Sequence, residues 1–318
     1  MPLDPRAQRL LSMVAAAVPE SRERPSPEQR RQSLAKLMQF ARNDCGAVIT
    51  RDGNFSGPSG LLRYRLYTPA AGPDDTGMPP GFVYFHGGGL VAGSIDTHDK
   101  VAAALAAASG CRLLSIDYRL APEHRFPAAI EDATAAVHFA IDRAAALGID
   151  ASRIVIGGDS AGATLAAAVC QQAVGSADLR IALQCLICPV LDFSDPRPSR
   201  ALFGTGYLID RATWQADLGD YLAGEADVAN PLISPLCCKT LAGLPPAVIH
   251  TAEFDPMRDE GNAYAARLAE AGVTVAHVCH EGMVHNFHAL GAILPQAKAA
   301  LDLVGQQIRS LLRVPAAR

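Results

Sequence analysis

The sequence predicts an α/β fold, with a mostly parallel central sheet that is flanked by helices on both faces. Short apolar runs typical of buried strands alternate along the chain with alanine-rich segments typical of helices. Near the middle of the chain, one such run passes through a glycine-rich turn directly into an alanine-rich segment. The chain has 318 residues, of which 49% are hydrophobic, and this length suits one core with an additional cap.

A helix is predicted to begin after Ser26, ahead of the first strand. Ser26 suits the N-cap, Pro27 suits the first turn, and Gln29 can complete a capping box. The apolar residues that follow recur at helical spacing and give the helix one apolar face: Leu34, Leu37, Met38 and Ala41. We expect this face to pack over the rest of the protein.

Six apolar runs are predicted to form strands: residues 81–85, 112–116, 154–157, 183–187, 247–251 and 273–278. After the second run, Pro122 and Pro127 exclude a helix before Ala128. Arg119 and Glu123 lie in that stretch, and we interpret them as partners of structural ion pairs.

The last strand, from Val273 to Val278, is expected to lie at an edge of the sheet. An exposed edge strand can pair with a second copy of the same chain across a two-fold axis. The sequence therefore leaves a homodimer open as an assembly.

Composition and charge argue against several classes of function. A net charge of −4 gives no basis for binding nucleic acid. No stretch reaches the ~20 apolar residues that span a bilayer, and the short apolar run near the start does not predict a signal peptide. The cysteines are scattered through predicted core elements and are expected to be reduced: Cys45, Cys111, Cys170, Cys185, Cys188, Cys237, Cys238 and Cys279. We therefore expect a cytoplasmic protein.

The turn near the middle of the chain has the pattern of a nucleophile elbow around Ser160. The run at 154–157 leads into it as a strand, and the segment from Ala163 continues from it as a helix. A helix N-terminus presents N–H groups that lack partners, so negative charge that develops on an oxygen beside Ser160 would be stabilised. A sharp turn also requires small neighbours, which this sequence supplies: Gly158, Ala161 and Gly162.

A second motif, His86-Gly87-Gly88-Gly89, follows the predicted strand at 81–85. Glycines let the backbone come close enough to donate N–H groups to an oxyanion, and the loop after this strand is the expected source of such donors. A phosphate-binding loop is the alternative, but neither G-x-x-x-x-G-K-[ST] nor the spacing of a dinucleotide fingerprint is present. We interpret the motif as an oxyanion-binding loop.

A serine nucleophile in this setting needs an acid and then a base later in the chain. Asp255 follows the predicted strand at 247–251, so it lies at the carboxyl end of the strands, where catalytic groups collect in α/β sheets. It is the candidate acid. His285, in the loop after the last strand, is the candidate base that takes the Ser160 proton. Four neighbours remain as alternatives, the first two for the base and the others for the acid: His288, His280, Glu253 and Asp259.

The sequence gives little indication of a metal site or a redox site. Cys185 and Cys188 have the spacing of such a pair, but they lie in an apolar run without a second ligand pair, which favours a buried strand. The nine histidines form no H-E-x-x-H motif. We expect neither a metal nor a cofactor.

With these residues in view, the chain resembles the hormone-sensitive-lipase-like esterases, the bacterial family IV group of the α/β-hydrolase superfamily. The resemblance covers most of the chain and rests on the two glycine motifs and the strings at 117–129, 255–261 and 285–287. It implies an α/β-hydrolase fold with a helical cap. It also implies specific roles: nucleophile Ser160, acid Asp255, base His285, and an oxyanion hole formed by the backbone N–H groups of Gly88, Gly89 and Ala161.

The family pattern divides the chain into two cap segments and two core segments. Residues 1–45 are the first cap segment, 46–190 the first core segment, 191–222 the second cap segment, and 223–318 the second core segment. Together the cap segments would roof Ser160. The second is irregular and rich in aromatic residues, which fill its own core or line the pocket: Phe193, Phe203, Tyr207 and Trp214.

The resemblance implies a serine carboxylesterase that cleaves short- to medium-chain esters of small molecules through an acyl-enzyme. An amidase or arylformamidase would carry the same triad, and a non-catalytic small-molecule receptor can share the fold. Receptors of that kind lack the triad histidine, so His285 favours an enzyme.

Overall fold

Eight strands form the centre of the protein. In the computed structural model they are β1 (Val48–Gly57), β2 (Gly60–Pro69), β3 (Pro80–Phe85), β4 (Arg112–Ile116), β5 (Asp150–Asp159), β6 (Leu183–Ile187), β7 (Ala247–Phe254) and β8 (Val275–Val284). The structure describes residues 1–17, 25–42, 46–70, 77–194, 197–224 and 227–313. Cys45 therefore lies outside the described residues.

The helices of the described residues lie before, between and after these strands. They are α1 (Pro5–Ala17), α2 (Pro27–Met38), α3 (Asp99–Ser109), α4 (Ala128–Asp142), α5 (Ala144–Leu147), α6 (Ala161–Ala173), α7 (Pro198–Phe203), α8 (Arg211–Tyr221), α9 (Arg258–Glu270) and α10 (Gln296–Arg313). None of them is long and apolar enough to cross a bilayer.

The sheet has the spatial order β1-β2-β4-β3-β5-β6-β7-β8. β2 runs antiparallel to both β1 and β4, and every other pair of neighbours is parallel. Alternate residues of β3 enter the apolar clusters on opposite faces, with Phe82 and Tyr84 on one side and Val83 and Phe85 on the other. The mostly parallel sheet between helices confirms the predicted fold class.

Two strands and several boundaries differ from the sequence prediction. The β1–β2 hairpin was not predicted, although Leu62, Tyr64 and Leu66 alternate along β2 as buried residues of a half-buried strand should. β8 begins at Val275 rather than Val273 and continues to Val284, because its pairing with β7 resumes after an irregularity.

Helix α2 begins as predicted from its N-terminal residues. The Ser26 side chain accepts a hydrogen bond from the backbone N–H of Gln29 at 3.2 Å, and the Gln29 side chain accepts one from the N–H of Ser26 at 2.8 Å. This is a complete capping box. Leu34 and Met38 on its apolar face are buried.

The helices of the two predicted cap segments touch although they are distant in sequence. Arg30 of α2 donates to both carboxylate oxygens of Asp217 in α8, at 3.0 to 3.2 Å. Phe203 and Tyr207 of the second segment pack on Phe254 at the end of β7. The division into cap and core segments stays a prediction.

The charged residues after β4 form ion pairs, which confirms their structural interpretation. Arg119 donates to both oxygens of the buried Asp132, at 2.8 to 3.0 Å. Glu123 accepts from Arg31 of α2 at 2.6 Å. These contacts tie helices α4 and α2 to the chain that leaves the sheet.

Candidate active site

Ser160 lies on the turn between β5 and α6. Its backbone has φ 53° and ψ −120°, a conformation that costs a residue with a side chain about 1 to 3 kcal/mol. Hydrogen bonds on both sides hold it, since Ser160 N–H donates to Ile187 O at 2.8 Å and Ser160 O accepts from Val190 N–H at 3.3 Å. The turn thus presents the serine hydroxyl at the carboxyl end of the sheet.

The glycines around Ser160 are required by the close approach of β3. A Cβ on Gly158 or Gly162 would overlap the carbonyl oxygen of Phe85. Because that oxygen belongs to backbone inside the sheet, it has little freedom to move away. The packing therefore requires glycine at both positions.

The structure brings Ser160, His285 and Asp255 together. His285 Nε2 lies 3.0 Å from Ser160 Oγ, and His285 Nδ1 lies 2.7 Å from Asp255 Oδ2. Because a carboxylate only accepts, the Nδ1–H donates to Asp255 and leaves Nε2 free to accept from the serine. The other Asp255 oxygen accepts from Met257 N–H at 2.7 Å. All three side chains are buried, and together they have the geometry of a Ser–His–Asp triad.

The four alternative residues are bound elsewhere. His280 Nε2 lies 2.8 Å from His250 Nδ1, and His288 Nε2 lies 4.0 Å from Asp159 Oδ2. Among the acids, Glu253 accepts from Gly282 N–H at 2.7 Å. The last, Asp259, accepts from Ser199 N–H at 2.8 Å.

The loop after β3 approaches the same end of the sheet. Gly88 and Gly89 have φ values of 125° and 69°, which favour glycine. Within the described part of the chain, the backbone N–H groups of Gly88, Gly89 and Ala161 donate to no protein acceptor. These donors are therefore free to bind an oxygen of a bound molecule.

Asp159 anchors this loop, a function that the sequence interpretation did not assign to it. Its Oδ1 accepts from Gly87 N–H at 3.0 Å and from the Tyr84 hydroxyl at 2.5 Å. Burial would raise the pKa of Asp159, but the neighbouring His98, 3.6 Å away, brings the pKa below its usual range. Its place directly before Ser160 was the only signal in the sequence.

His86 supports the loop from the other side. The Tyr118 hydroxyl donates to His86 O at 2.7 Å, and the two rings stack with their centres 4.4 Å apart. Burial lowers the pKa of His86 to about 3, so its ring stays neutral at physiological pH. It therefore adds no charge to the site.

One cluster among the described residues has the composition of a metal site. Ligand atoms of Cys188, Asp255 and His285 lie within 4.8 Å of one another, and all three residues are buried. Burial raises the pKa of the Cys188 thiol well above its usual value, and a protonated thiol is a poor ligand. Asp255 and His285 are already joined to each other, so the cluster fits a proton-transfer site better than a metal site.

The arrangement can carry out acyl transfer. A base lies within hydrogen-bond distance of a serine hydroxyl, a carboxylate orients that base, and unpartnered N–H groups face the same end of the sheet. These are the parts needed to attack a carbonyl carbon and to stabilise the oxyanion that results.

Comparison with known sequences identifies relatives over most of the chain. A family profile described as the alpha/beta hydrolase fold matches residues 82–289. An ethyl acetate hydrolase of Pseudomonas putida is 38% identical over 269 residues, which cover 84% of this chain and 82% of that protein. An arylesterase of Saccharolobus solfataricus is 35% identical over 289 residues, or 90% of this chain and 92% of that protein.

Comparison with solved structures also identifies relatives, and these match nearly the whole chain. An alpha/beta hydrolase enzyme from the metagenome of Lake Arreo, Spain, superposes with a TM-score of 0.91 and 37% identity, over 97% of this chain and 98% of that one. A hyperthermophilic esterase of the archaeon Pyrobaculum calidifontis superposes with a TM-score of 0.89 and 35% identity, over 98% and 99%.

Proposed function

Since this chain belongs to the alpha/beta hydrolase fold family, we propose that it is a serine carboxylesterase in which Ser160, His285 and Asp255 cleave short- to medium-chain acyl esters. The observation that carries this proposal is the continuous hydrogen-bonded chain from Ser160 Oγ through His285 to Asp255. The relatives described above are named for ester hydrolysis, which supports an ester as the substrate.

The proposed reaction has two halves with the same machinery. His285 Nε2 takes the proton of Ser160 as Oγ attacks the ester carbonyl, and it then gives this proton to the departing alcohol. The acyl group stays on Ser160 until water, activated by His285 in the same way, releases the acid. Asp255 holds the Nδ1–H tautomer and stabilises the charged imidazole in both halves.

The oxyanion of each tetrahedral intermediate would bind to the N–H groups of Gly88, Gly89 and Ala161. Two parts of the fold hold these N–H groups in place. Asp159 binds Gly87 and so fixes the loop, and Ala161 lies in the first turn of α6. Removing one such donor in a serine hydrolase costs about 100- to 1,000-fold in kcat. The proposed hole is therefore a major part of the catalytic effect.

The amidase and receptor alternatives gain no support. The named relatives cleave esters, and a receptor on this fold would not need a serine, a histidine and a carboxylate in hydrogen-bonding order. The short-chain preference is supported by the relative that is named for ethyl acetate, a short-chain acyl ester.

Hydrolysis of p-nitrophenyl esters from acetate to palmitate tests the substrate class. We expect kcat/KM to peak between acetate and octanoate and to fall steeply for palmitate, because the two cap segments are expected to enclose a compact acyl pocket. The Ser160→Ala variant is the blank for hydrolysis that does not use the site. Faster release of fatty acid from an olive-oil emulsion than from butyrate esters would contradict the short-chain proposal.

We also propose that two copies of the chain associate through β8. This strand lies at one edge of the sheet and, among the described strands, pairs with β7 alone. The N-terminal segment contacts β8 near the carboxyl end of that strand, where Asp4 N–H donates to Gly282 O at 3.0 Å. Light scattering is expected to give twice the chain mass of 33.4 kDa, and a value equal to one chain would contradict the dimer.

A cytoplasmic location is proposed from the cysteines. All seven in the described part of the chain are free thiols, and a reducing compartment keeps thiols in that state. Cell fractionation followed by an esterase assay would test this, and activity confined to the medium would contradict it.

A further inference from the structure

We propose that Arg30 compensates the charge of Asp217, which lies against the oxyanion loop at Gly89, and so keeps the surroundings of that loop electrically neutral. This inference rests on the proposed function, because it concerns the N–H group that Gly89 would donate to the oxyanion. It assigns a role in the reaction to Arg30, a residue of the first predicted cap segment.

The pair has the geometry of a strong ion pair. Arg30 Nε lies 3.2 and 3.1 Å from the two Asp217 oxygens, and Arg30 Nη2 lies 3.0 Å from Oδ2. The side chains are 17% and 9% exposed, so solvent and salt screen them less than an exposed pair. Two parallel N–H···O contacts also fix the orientation of the carboxylate.

The carboxylate lies directly against the oxyanion loop. A Cβ on Gly89 would overlap Asp217 Oδ2, so the loop and the carboxylate approach as closely as glycine permits. Gly89 has a φ of 69°, and any side chain there would be strained as well as crowded. Gly89 is thus fitted to Asp217, which lies more than a hundred residues away in the sequence.

Helix α2 secures the rest of the loop through two further residues. Leu34 lies against Gly88, and Arg31 Nε donates to Val91 O at 2.9 Å. Among the three glycines of the loop, and within the described residues, Gly89 is the one whose added Cβ would meet the second cap segment. The Arg30–Asp217 pair therefore joins α8 to the helix that already holds the loop.

The two charges of the pair have opposite effects on an oxyanion bound at Gly89. A carboxylate beside an oxyanion donor opposes the negative charge that develops in the transition state, and this effect is strong where water is excluded. Arg30 compensates that charge. Removing Arg30 should therefore harm catalysis, whereas removing the charge of Asp217 should not.

Two single variants and their combination test this reasoning. We expect Arg30→Gln to lower kcat about 10-fold with little change in KM, and Asp217→Asn to keep kcat within about 3-fold of the native value. The double variant is again neutral, so its kcat should recover to within about 3-fold. A purely mechanical clasp predicts the opposite order, in which both single variants lose activity and the double variant is no better than either.

A matched control comes from the neighbouring pair on the same helix. Glu123→Gln also removes one carboxylate from an ion pair with α2, but Glu123 is exposed, and its partner Arg31 keeps a separate contact to Val91 O. We expect its kcat to be unchanged. A loss equal to that of Arg30→Gln would indicate a general weakening of α2 and would overturn the proposal.

A second substitution at the same position, Arg30→Lys, tests the proposal if Arg30→Gln does not fold. Arg30→Lys retains the positive charge without the two-pronged contact, and the proposal expects its kcat to stay within about 3-fold of native. A 10-fold loss in a lysine variant with a native melting temperature would overturn it. Labelling of Ser160 with a phosphonate separates the two proposals, because a variant that still labels but turns over slowly has an intact nucleophile.

Discussion

Replacing Ser160 by alanine is expected to lower kcat for ester hydrolysis by about four to six orders of magnitude. The nucleophile and its base act as one unit, so His285→Ala should cost a similar factor and the double variant should be no worse than either. The physical reason is the 3.0 Å contact between His285 Nε2 and Ser160 Oγ, because the proton transfer along it requires both side chains. Steady-state kinetics with p-nitrophenyl butyrate would measure all three.

His280→Ala is the control for these variants. This histidine lies five residues before the proposed base, but its Nε2 contacts His250 and not the triad. We expect its kcat to stay within about 3-fold of native. If His280→Ala or His288→Ala abolished turnover while His285→Ala did not, the proposed triad would be wrong.

Replacing Glu260 by alanine is expected to lower the free energy of unfolding by about 3 to 5 kcal/mol. Glu260 Oε2 accepts from the backbone N–H groups of Leu191 and Asp192, both at 2.6 Å, and Oε1 accepts from Arg200 at 2.8 Å. Glu260 and Arg200 are 1% and 2% exposed. The variant would leave a buried guanidinium without its carboxylate and two buried N–H groups without acceptors, and each of these is costly.

Urea unfolding at pH 8.5 would measure this loss. Burial raises the pKa of Glu260 to about 7, so the carboxylate is ionised at that pH, and the loss should be larger at pH 6, where the native protein no longer bears the cost of the buried charge. Asp302→Ala is the matched control, because Lys298 and Asp302 form a 2.7 Å pair that is more than half exposed on α10. We expect at most about 0.5 kcal/mol there. Equal losses in the two variants would show that burial does not decide the value of an ion pair in this protein.

Much of the fold follows from local sequence patterns. Runs of apolar residues and alanine-rich segments predicted six of the strands, because strands buried on both faces have a strong local signature. The β1–β2 hairpin was missed because β1 is largely exposed and carries few apolar residues. The capping box at Ser26 was predictable because its two partners are three residues apart.

The candidate site was only partly accessible from the sequence. Motifs and position favoured Ser160, Asp255 and His285, but neighbouring histidines and acids remained as alternatives. The contacts that distinguish them join residues 125 and 30 positions apart in the chain. No local pattern encodes such a contact.

What the sequence by itself determined is therefore six of the eight strands, the two glycine motifs and the short list of reactive residues. The tertiary structure decided which histidine faces the serine, that Asp159 anchors the oxyanion loop, and that Arg30 meets Asp217 over Gly89. The physical reason is distance along the chain. Helix caps and strand patterns depend on neighbours within a few residues, whereas hydrogen bonds and ion pairs between segments exist only after the sheet has brought those segments together.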